Sequence, residues 1–312
     1  MDILDILKEN KIPVKKAGNV YFILCPFHPE TKPSCAIYPD HFHCYGCGEH
    51  GSLKKLLEAL KIQPPVSPFP QIPSRPRISR PPEDVIETLT SVTQLFHQAL
   101  FRHSTALDYV LSRGISIETI KKMKIGFSPK GLLLGQIARG KIELEALEKA
   151  MLVRKGKEFF RNRIVFPEVR EGKTIYMAGR ALYPHQSPKY LFLPKWPKVL
   201  FGWGILDKSS PEIYIVEGFF DLATLIEWGY PALALGGITL KNVYLPVFYF
   251  FSRVYVIFDS DTAGQLGASK IFSTLPNVKV ISLPLEFKDV NEIAQKLGGK
   301  GKELFESLLE GK

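Results

Sequence analysis

The chain holds 312 residues, 45% of them apolar and 23% charged, which excludes wholesale disorder and leaves room for two or three packed units. Apolar runs such as Tyr244 to Phe251 fall far short of the roughly 18 residues of a membrane span, and Asp2 and Asp5 stand where a secretory leader carries positive charge, so a cytoplasmic protein is expected. Most of the net charge of +10 comes from residues 154–202, where 11 basic side chains face three acidic ones, and such a stripe suggests a polyanion partner.

In chain order, Ile3, Leu4, Ile6 and Leu7 predict a short helix and Val20 to Leu24 a strand. Ser52 is placed to cap an apolar-periodic helix reaching Leu60. From Gln63 to Pro82 come eight prolines, three arginines and no acid, a composition expected to form an extended, semi-rigid spacer. Residues 83–153 read as helical, with Leu89, Val92, Leu95, Phe96, Ala99 and Leu100 at helical spacing. Two strand-like runs follow, Arg163 to Phe166 and Thr174 to Ala178. From Glu212 onward the pattern alternates. Strands are expected at Ile213–Val216, Ala232–Leu235, Val254–Phe258 and Val278–Leu283, with helices at Leu222–Glu227 and Ala263–Leu275 and two more at the end. That alternation predicts a parallel α/β sheet. The expected chain is an α+β multidomain protein, with units at 1–62, 83–208 and 209–312 and a spacer at 63–82.

Cys25-Pro-Phe-His28 and Cys44-Tyr-Gly-Cys47 form two knuckles separated by 15 residues. Paired knuckles at this spacing gather four ligands around one tetrahedral Zn²⁺, and Gly46 and Gly48 suit the tight turns. Four cysteines are too few for a disulfide scaffold, and Cys35 lies outside either knuckle. His41, His43 and His50 are nearby but make no second knuckle. Phe27, Tyr38, Phe42 and Tyr45 suit either a base-stacking face or the core of a small ribbon.

Three acidic elements fall at predicted strand ends: Glu217 with Asp221, Asp259 with Asp261, and Asp289. Ligands of open α/β sheets bind at the carboxyl ends of the strands, so these side chains can converge. Converging carboxylates repel unless divalent cations lie among them, and Mg²⁺ prefers hard oxygen ligands. Metal held there could align a hydroxyl and a triphosphate for phosphoryl transfer.

Cys25 to Ser34 and His43 to Gly51 resemble the zinc-binding domain of bacterial DnaG-type DNA primases. Glu217-Gly-x-x-Asp221 and Asp259-x-Asp261-x-x-Gly264 resemble the TOPRIM domain of primases and topoisomerases. Arg161 to Pro167, Ala178 to Leu182 and Pro188 to Leu191 look like the N-terminal part of the primase polymerase domain. The resemblance implies a small zinc ribbon, a mixed α/β polymerase subdomain and a C-terminal α/β TOPRIM fold. It implies synthesis of short RNA primers from ribonucleoside triphosphates on single-stranded DNA, with structural Zn²⁺ and with catalytic Mg²⁺ replaceable by Mn²⁺. Within it, Cys25, His28, Cys44 and Cys47 hold zinc, and Glu217 is the general acid or base. Glu217, Asp259 and Asp261 are the catalytic set, with Asp289 completing the Mg²⁺ ligands. Arg113, Arg163, Arg180, Lys189 and Lys198 take template or nucleotide phosphates. One departure stands out: the family usually has a second Asp two positions after Asp289, where this chain has Asn291, which still offers an oxygen at the loss of one charge. Family members continue into a helicase-binding domain, whereas this sequence ends at Lys312, so a compact form is expected and a replicative helicase would lack its usual docking domain. Two other classes fit parts of the pattern. A non-catalytic nucleic-acid-binding relative would suit Asn291. A haloacid-dehalogenase-like phosphatase would suit Asp259-Ser-Asp261-Thr262, although the Glu217 element and the ribbon argue against it.

Overall fold

In the computed structural model, residues 3–17, 20–38, 41–62, 80–207, 209–248, 251–272, 275 and 277–310 are described. The expected spacer therefore lies outside the described residues, apart from Arg80, Pro81 and Pro82. The chain divides into two units. One comprises Met1–Arg77, Lys241–Ser252 and Phe272–Asn277, the other Ile78–Leu240, Arg253–Ile271 and Val278–Lys312.

In the first unit, β1 (Lys15–Ala17), β2 (Val20–Ile23), β3 (Cys35–Ile37), β4 (His41–Cys44) and β5 (His50–Ser52) form one antiparallel sheet in sequence order. Helices α1 (Ile3–Glu9) and α2 (Leu53–Ala59) accompany it. Side chains alternate across a strand, so Ile23, Cys35 and Cys44, which are register partners, share one face. That face joins Ile3, Ile6, Leu7, Leu56 and Leu57 in a small core. A core of this size gives limited stability by itself, and a metal clip is the usual supplement.

The second unit begins with α3 (Glu83–Arg102), α4 (Ser104–Leu111), α5 (Ile117–Lys122), β6 (Gly126–Ser128), α6 (Leu132–Ala138) and α7 (Leu144–Lys149). A two-stranded ribbon follows, β7 (Val153–Arg154) and β8 (Lys157–Glu158). Then β9 (Arg163–Arg170), β10 (Lys173–Ala181) and β11 (Tyr190–Phe192) complete an antiparallel sheet ordered β11–β10–β9–β6. The long helix α3 buries Val85, Ile86, Leu89, Val92 and Phe96 and packs on β10 and β6. The wholly helical reading of residues 83–153 thus needs correction. Gly126 to Ser128 pairs with β9, a strand whose three residues are too few to show a period of two.

The last part of this unit runs β12 (Glu212–Val216), α8 (Phe219–Glu227) and β13 (Ala232–Ala234). Helix α9 (Leu245–Phe248) comes next in sequence and belongs to the first unit. The second unit resumes with β14 (Arg253–Ile257), α10 (Thr262–Phe272), β15 (Val278–Val280), α11 (Val290–Leu297) and α12 (Lys300–Glu310). The parallel sheet is ordered β13–β12–β14–β15. Ile213, Tyr214, Ile215 and Val216 are all buried, as are Val254 to Ile257, the mark of strands covered on both faces. From β12 the chain adds β13 on one side and then returns to place β14 on the other. The sheet therefore has its switch point between β12 and β14, where a crevice opens at the carboxyl edge. Among the described residues, no helix is long and apolar enough to cross a membrane.

Two candidate metal centres and a basic wall

Cys25, His28, Cys44 and Cys47 bring one ligand atom each to within 4.8 Å of one another. The Cys25 and Cys47 sulfurs are 3.8 Å apart, and the Cys44 sulfur is 3.7 Å from His28 Nδ1. A tetrahedron with Zn–S arms of about 2.3 Å has edges of about 3.8 Å, and a mixed S and N edge is about 3.6 Å. The donor set fits Zn²⁺ in both chemistry and spacing. Glu30 supports it from behind. One carboxylate oxygen accepts the Cys25 and Ser34 amides at 2.7 and 3.0 Å, and the other faces His28 Nε2 at 3.2 Å, which leaves Nδ1 for the metal. Gly46 permits the closeness of this knuckle, because a Cβ there would stand 2.6 Å from His28 Nε2. Cys35 is fully buried in the ribbon core and stands outside the four-ligand group. Of the four aromatics considered for stacking, Phe42 is fully buried against Phe27, so these two serve the core.

The second centre sits at the switch point. Glu217 follows β12, Gly218 caps α8, and Asp221 lies in the first turn of that helix, only 7% exposed. Phe219 anchors the turn by packing on Phe166 and Phe201, with ring centroids 5.1 and 4.7 Å away. Asp259 and Asp261 follow β14, and Asp289 caps α11 by accepting the Glu292 amide at 2.8 Å. Glu292 in return accepts the Lys288 amide at 2.6 Å, a reciprocal cap that fixes Asp289 at the helix start. Asp221, Asp259 and Asp289 bring carboxylate oxygens to within 4.8 Å of one another. Ligands of one Mg²⁺ lie about 3 to 4 Å apart, so small side-chain rotations would close the three acids on an ion.

Electrostatics mark the same place. Burial, then the Asp289 charge, push Asp221 up to about 8. Burial and Asp259 push Glu217 up to about 7. Burial and Asp289 raise Asp259 as well, against the pull of Lys288, whose ammonium is 3.5 Å from it. Asp221 therefore keeps its proton at neutral pH until a cation replaces it.

A cavity of about 240 Å³ opens at the acids, lined by Glu217, Asp221, Asp259 and Asp289 together with Arg113, Arg180 and Lys189. Arg180 donates to the hydroxyls of Tyr109 and Tyr190 at 2.8 and 2.6 Å, and lies over the Phe220 ring. Burial, then Arg180, lower the pKa of Lys189.

Three further expected site residues sit elsewhere. Asp261 is outside the converging trio and accepts the Gly264 amide at 2.9 Å. Arg163 is 4% exposed and donates to the Pro188 and Lys189 carbonyls at 2.7 and 3.2 Å, so it supports the bend that carries Lys189 into β11. Lys198 donates to the Gly236 carbonyl at 2.8 Å and covers Phe192, bracing a loop of the cavity. The oxygen of Asn291 is turned to Arg113 and Gln295. The expected ligand set also lacked Asp221, although its signal was present as a carboxylate one helical turn after Glu217. Tyr109, Glu30 and Lys288 carried no sequence signal, because each matters only through a partner distant in the chain or folded back upon it.

Three family models match the chain: a CHC2 zinc finger over residues 1–63, the N-terminal domain of the DNA primase catalytic core over 95–198, and a Toprim-like domain over 214–294. The DNA primase of Clostridium acetobutylicum is 30% identical over 99% of this chain and 57% of its own length. The zinc-binding and RNA polymerase domains of the Aquifex aeolicus primase share the fold with a TM-score of 0.62 at 26% identity, covering 100% of this chain and 83% of that one. A DnaG primase catalytic domain bound to ssDNA has the same fold with a TM-score of 0.62 at 24% identity, over 73% of this chain and 78% of that one. The chain spans little more than half the length of the first curated relatives it matches.

Proposed function

Because the chain belongs to the DnaG-type primase family, with its zinc-finger, catalytic-core and Toprim modules in order, we propose that it makes short RNA primers from ribonucleoside triphosphates on single-stranded DNA. The observation that carries this reading is the single cavity in which Glu217, Asp221, Asp259 and Asp289 face Arg113, Arg180 and Lys189. The ssDNA held by one related domain supports the choice of template. Asp221, Asp259 and Asp289 would hold Mg²⁺, and Mn²⁺ in its place. Bound metal would neutralise phosphate charge and polarise the reacting oxygens.

The residues of this chain do the rest. Arg113, Arg180 and Lys189 receive the triphosphate as an anion. Glu217, with a pKa near the working pH, takes the proton of the attacking primer hydroxyl as that oxygen bonds to the α-phosphorus and pyrophosphate leaves. Arg163 and Lys198 act behind this wall by fixing Lys189 and the Gly236 loop. Asp261 holds the start of α10, and the Cys25, His28, Cys44 and Cys47 ribbon would keep its fold by holding Zn²⁺ and offer the template a second contact. The chain would work in the cytoplasm as units at 1–62, 83–208 and 209–312 joined by the 63–82 spacer.

The test is incorporation of labelled ribonucleotides on random single-stranded template, with and without Mg²⁺. Asp259→Asn should lower synthesis about a hundredfold or more while leaving DNA binding nearly intact. Full synthesis by that variant, or hydrolysis of a generic phosphomonoester in place of primer synthesis, would overturn the reading.

A further inference from the structure

Asn291 is 1% exposed, and every hydrogen-bonding position of its amide is filled. Nδ2 donates to the Arg113 carbonyl at 2.8 Å and to Thr224 Oγ1 at 2.9 Å. Oδ1 accepts from Arg113 Nη1 at 3.2 Å and from Gln295 at 2.9 Å. Its own backbone amide donates to Asp221 Oδ1 at 2.9 Å. An ion could use this side chain only by displacing one of those donors. Asn291 instead grips Arg113 twice, at backbone and guanidinium, and ties it to the acid trio.

What it grips is a cation that shares the cavity with the acids without pairing to any of them. Among the described residues, neither Arg113 nor Arg180 forms an ion pair. Both donate to one acceptor, the Tyr109 hydroxyl, at 3.2 and 2.8 Å. Both lie over Phe220, at 5.2 and 5.4 Å from its centroid. Two guanidiniums sharing a hydroxyl and a ring repel each other, and a polyanion entering the cavity relieves that repulsion with forked hydrogen bonds.

We propose that Asn291 is a positioning residue that presets the Arg113 guanidinium, and Arg180 through Tyr109, to receive the polyphosphate of the incoming nucleotide. This rests on the polymerase reading above. The amide serves both contacts in this chain, because its nitrogen donates to the Arg113 carbonyl while its oxygen accepts from the guanidinium. The restraint removes side-chain freedom that the arginine would otherwise lose on binding.

The experiment is a double-mutant cycle on the full chain with Mg²⁺ present. It reads binding of a non-hydrolysable ATP analogue, with AMP as the control lacking the outer phosphates. Asn291→Ala should weaken the triphosphate about tenfold, the worth of part of an arginine's restrained freedom, and leave AMP unchanged. In an Arg113→Ala background the same change should have no further effect, because nothing remains to position. If Asn291→Ala melts below the assay temperature, Asn291→Ser takes its place in the cycle. Additive losses, or an equal loss for AMP, would show that Asn291 merely supports the fold. Failure of the unmodified protein to bind either nucleotide would sink the polymerase reading itself, a result distinct from additivity in a protein that binds.

Discussion

Burial, then the Asp289 charge, raise Asp221 to about 8, and burial with Asp259 raises Glu217 to about 7. In an unfolded chain both groups titrate near about 4. The native state therefore binds more protons than the unfolded one from about pH 4 to pH 8, and stability falls as pH rises through that window. The penalty is complete above the folded pKa values. A divalent ion that prefers the ionised carboxylates offsets it most where they would otherwise be ionised without a counter-charge. The melting temperature in chelator should accordingly decline between pH 5 and pH 8, and added Mg²⁺ should raise it more at pH 8 than at pH 5. Asp221→Asn keeps an oxygen for the Asn291 amide and removes the buried charge. In chelator at pH 8 it should melt about 3 °C higher than the unmodified protein, roughly what 1 kcal/mol gives in a domain of this size, and Mg²⁺ should stabilise it less. A pH profile in the variant identical to that of the unmodified protein would place the effect on other groups.

At the scale of elements, the ribbon and the α/β sheet were legible for different reasons. The knuckles show in sequence because a zinc site closes through short local spacings, Cys25 to His28 and Cys44 to Cys47. The strands β12 and β14 show because covered strands are continuous apolar runs. Strands β6 and β11 carried no such mark. Gly126–Ser128 and Tyr190–Phe192 are three residues each, and only their pairing with β9 and β10 makes them strands. Asp261 marks the limit of a spacing argument, because Asp-x-Asp does not say which carboxylate joins the trio, and here Asp261 accepts an amide of its own helix. Glu30 illustrates the same limit in the ribbon, where a carboxylate folded back on Cys25, His28 and Ser34 reads in sequence as a solvated charge. The ribbon gives a graded prediction. Cys44→Ser should release zinc and unfold β3 to β5, since metal binding is folding energy here. Cys35→Ser should retain full zinc, and Glu30→Gln should bind zinc about 10 to 100 times more weakly. Metal analysis with a competing chelator measures all three, and full occupancy in Cys44→Ser would void the ligand assignment.

For the whole molecule, the charge of +10 points to a polyanion partner but not to which cations would meet it. Of the basic side chains in residues 154–202, only Arg180 and Lys189 line the cavity with the acids, joined there by Arg113 from outside the segment. Arg163 stands in the same stretch yet spends its guanidinium on the Pro188 and Lys189 carbonyls. Composition cannot separate a cation that faces solvent from one that has become part of the scaffold, and the salt dependence of binding can. Each phosphate contact on single-stranded DNA releases condensed counterion and contributes roughly −0.7 to the slope of log K against log salt. Arg180→Ala and Lys189→Ala should each make that slope shallower by about 0.7 if they hold template phosphates. Without that change, they should raise the KM for nucleotide if they hold the triphosphate. Arg163→Ala should do something different in kind. Removing a buried guanidinium leaves two carbonyls without their donor, which costs roughly 1 to 3 kcal/mol of stability, while the slope stays as it was. A shallower slope in Arg163→Ala at unchanged melting temperature would mean that this guanidinium turns outward to the nucleic acid, and the supporting role given to it here would fail.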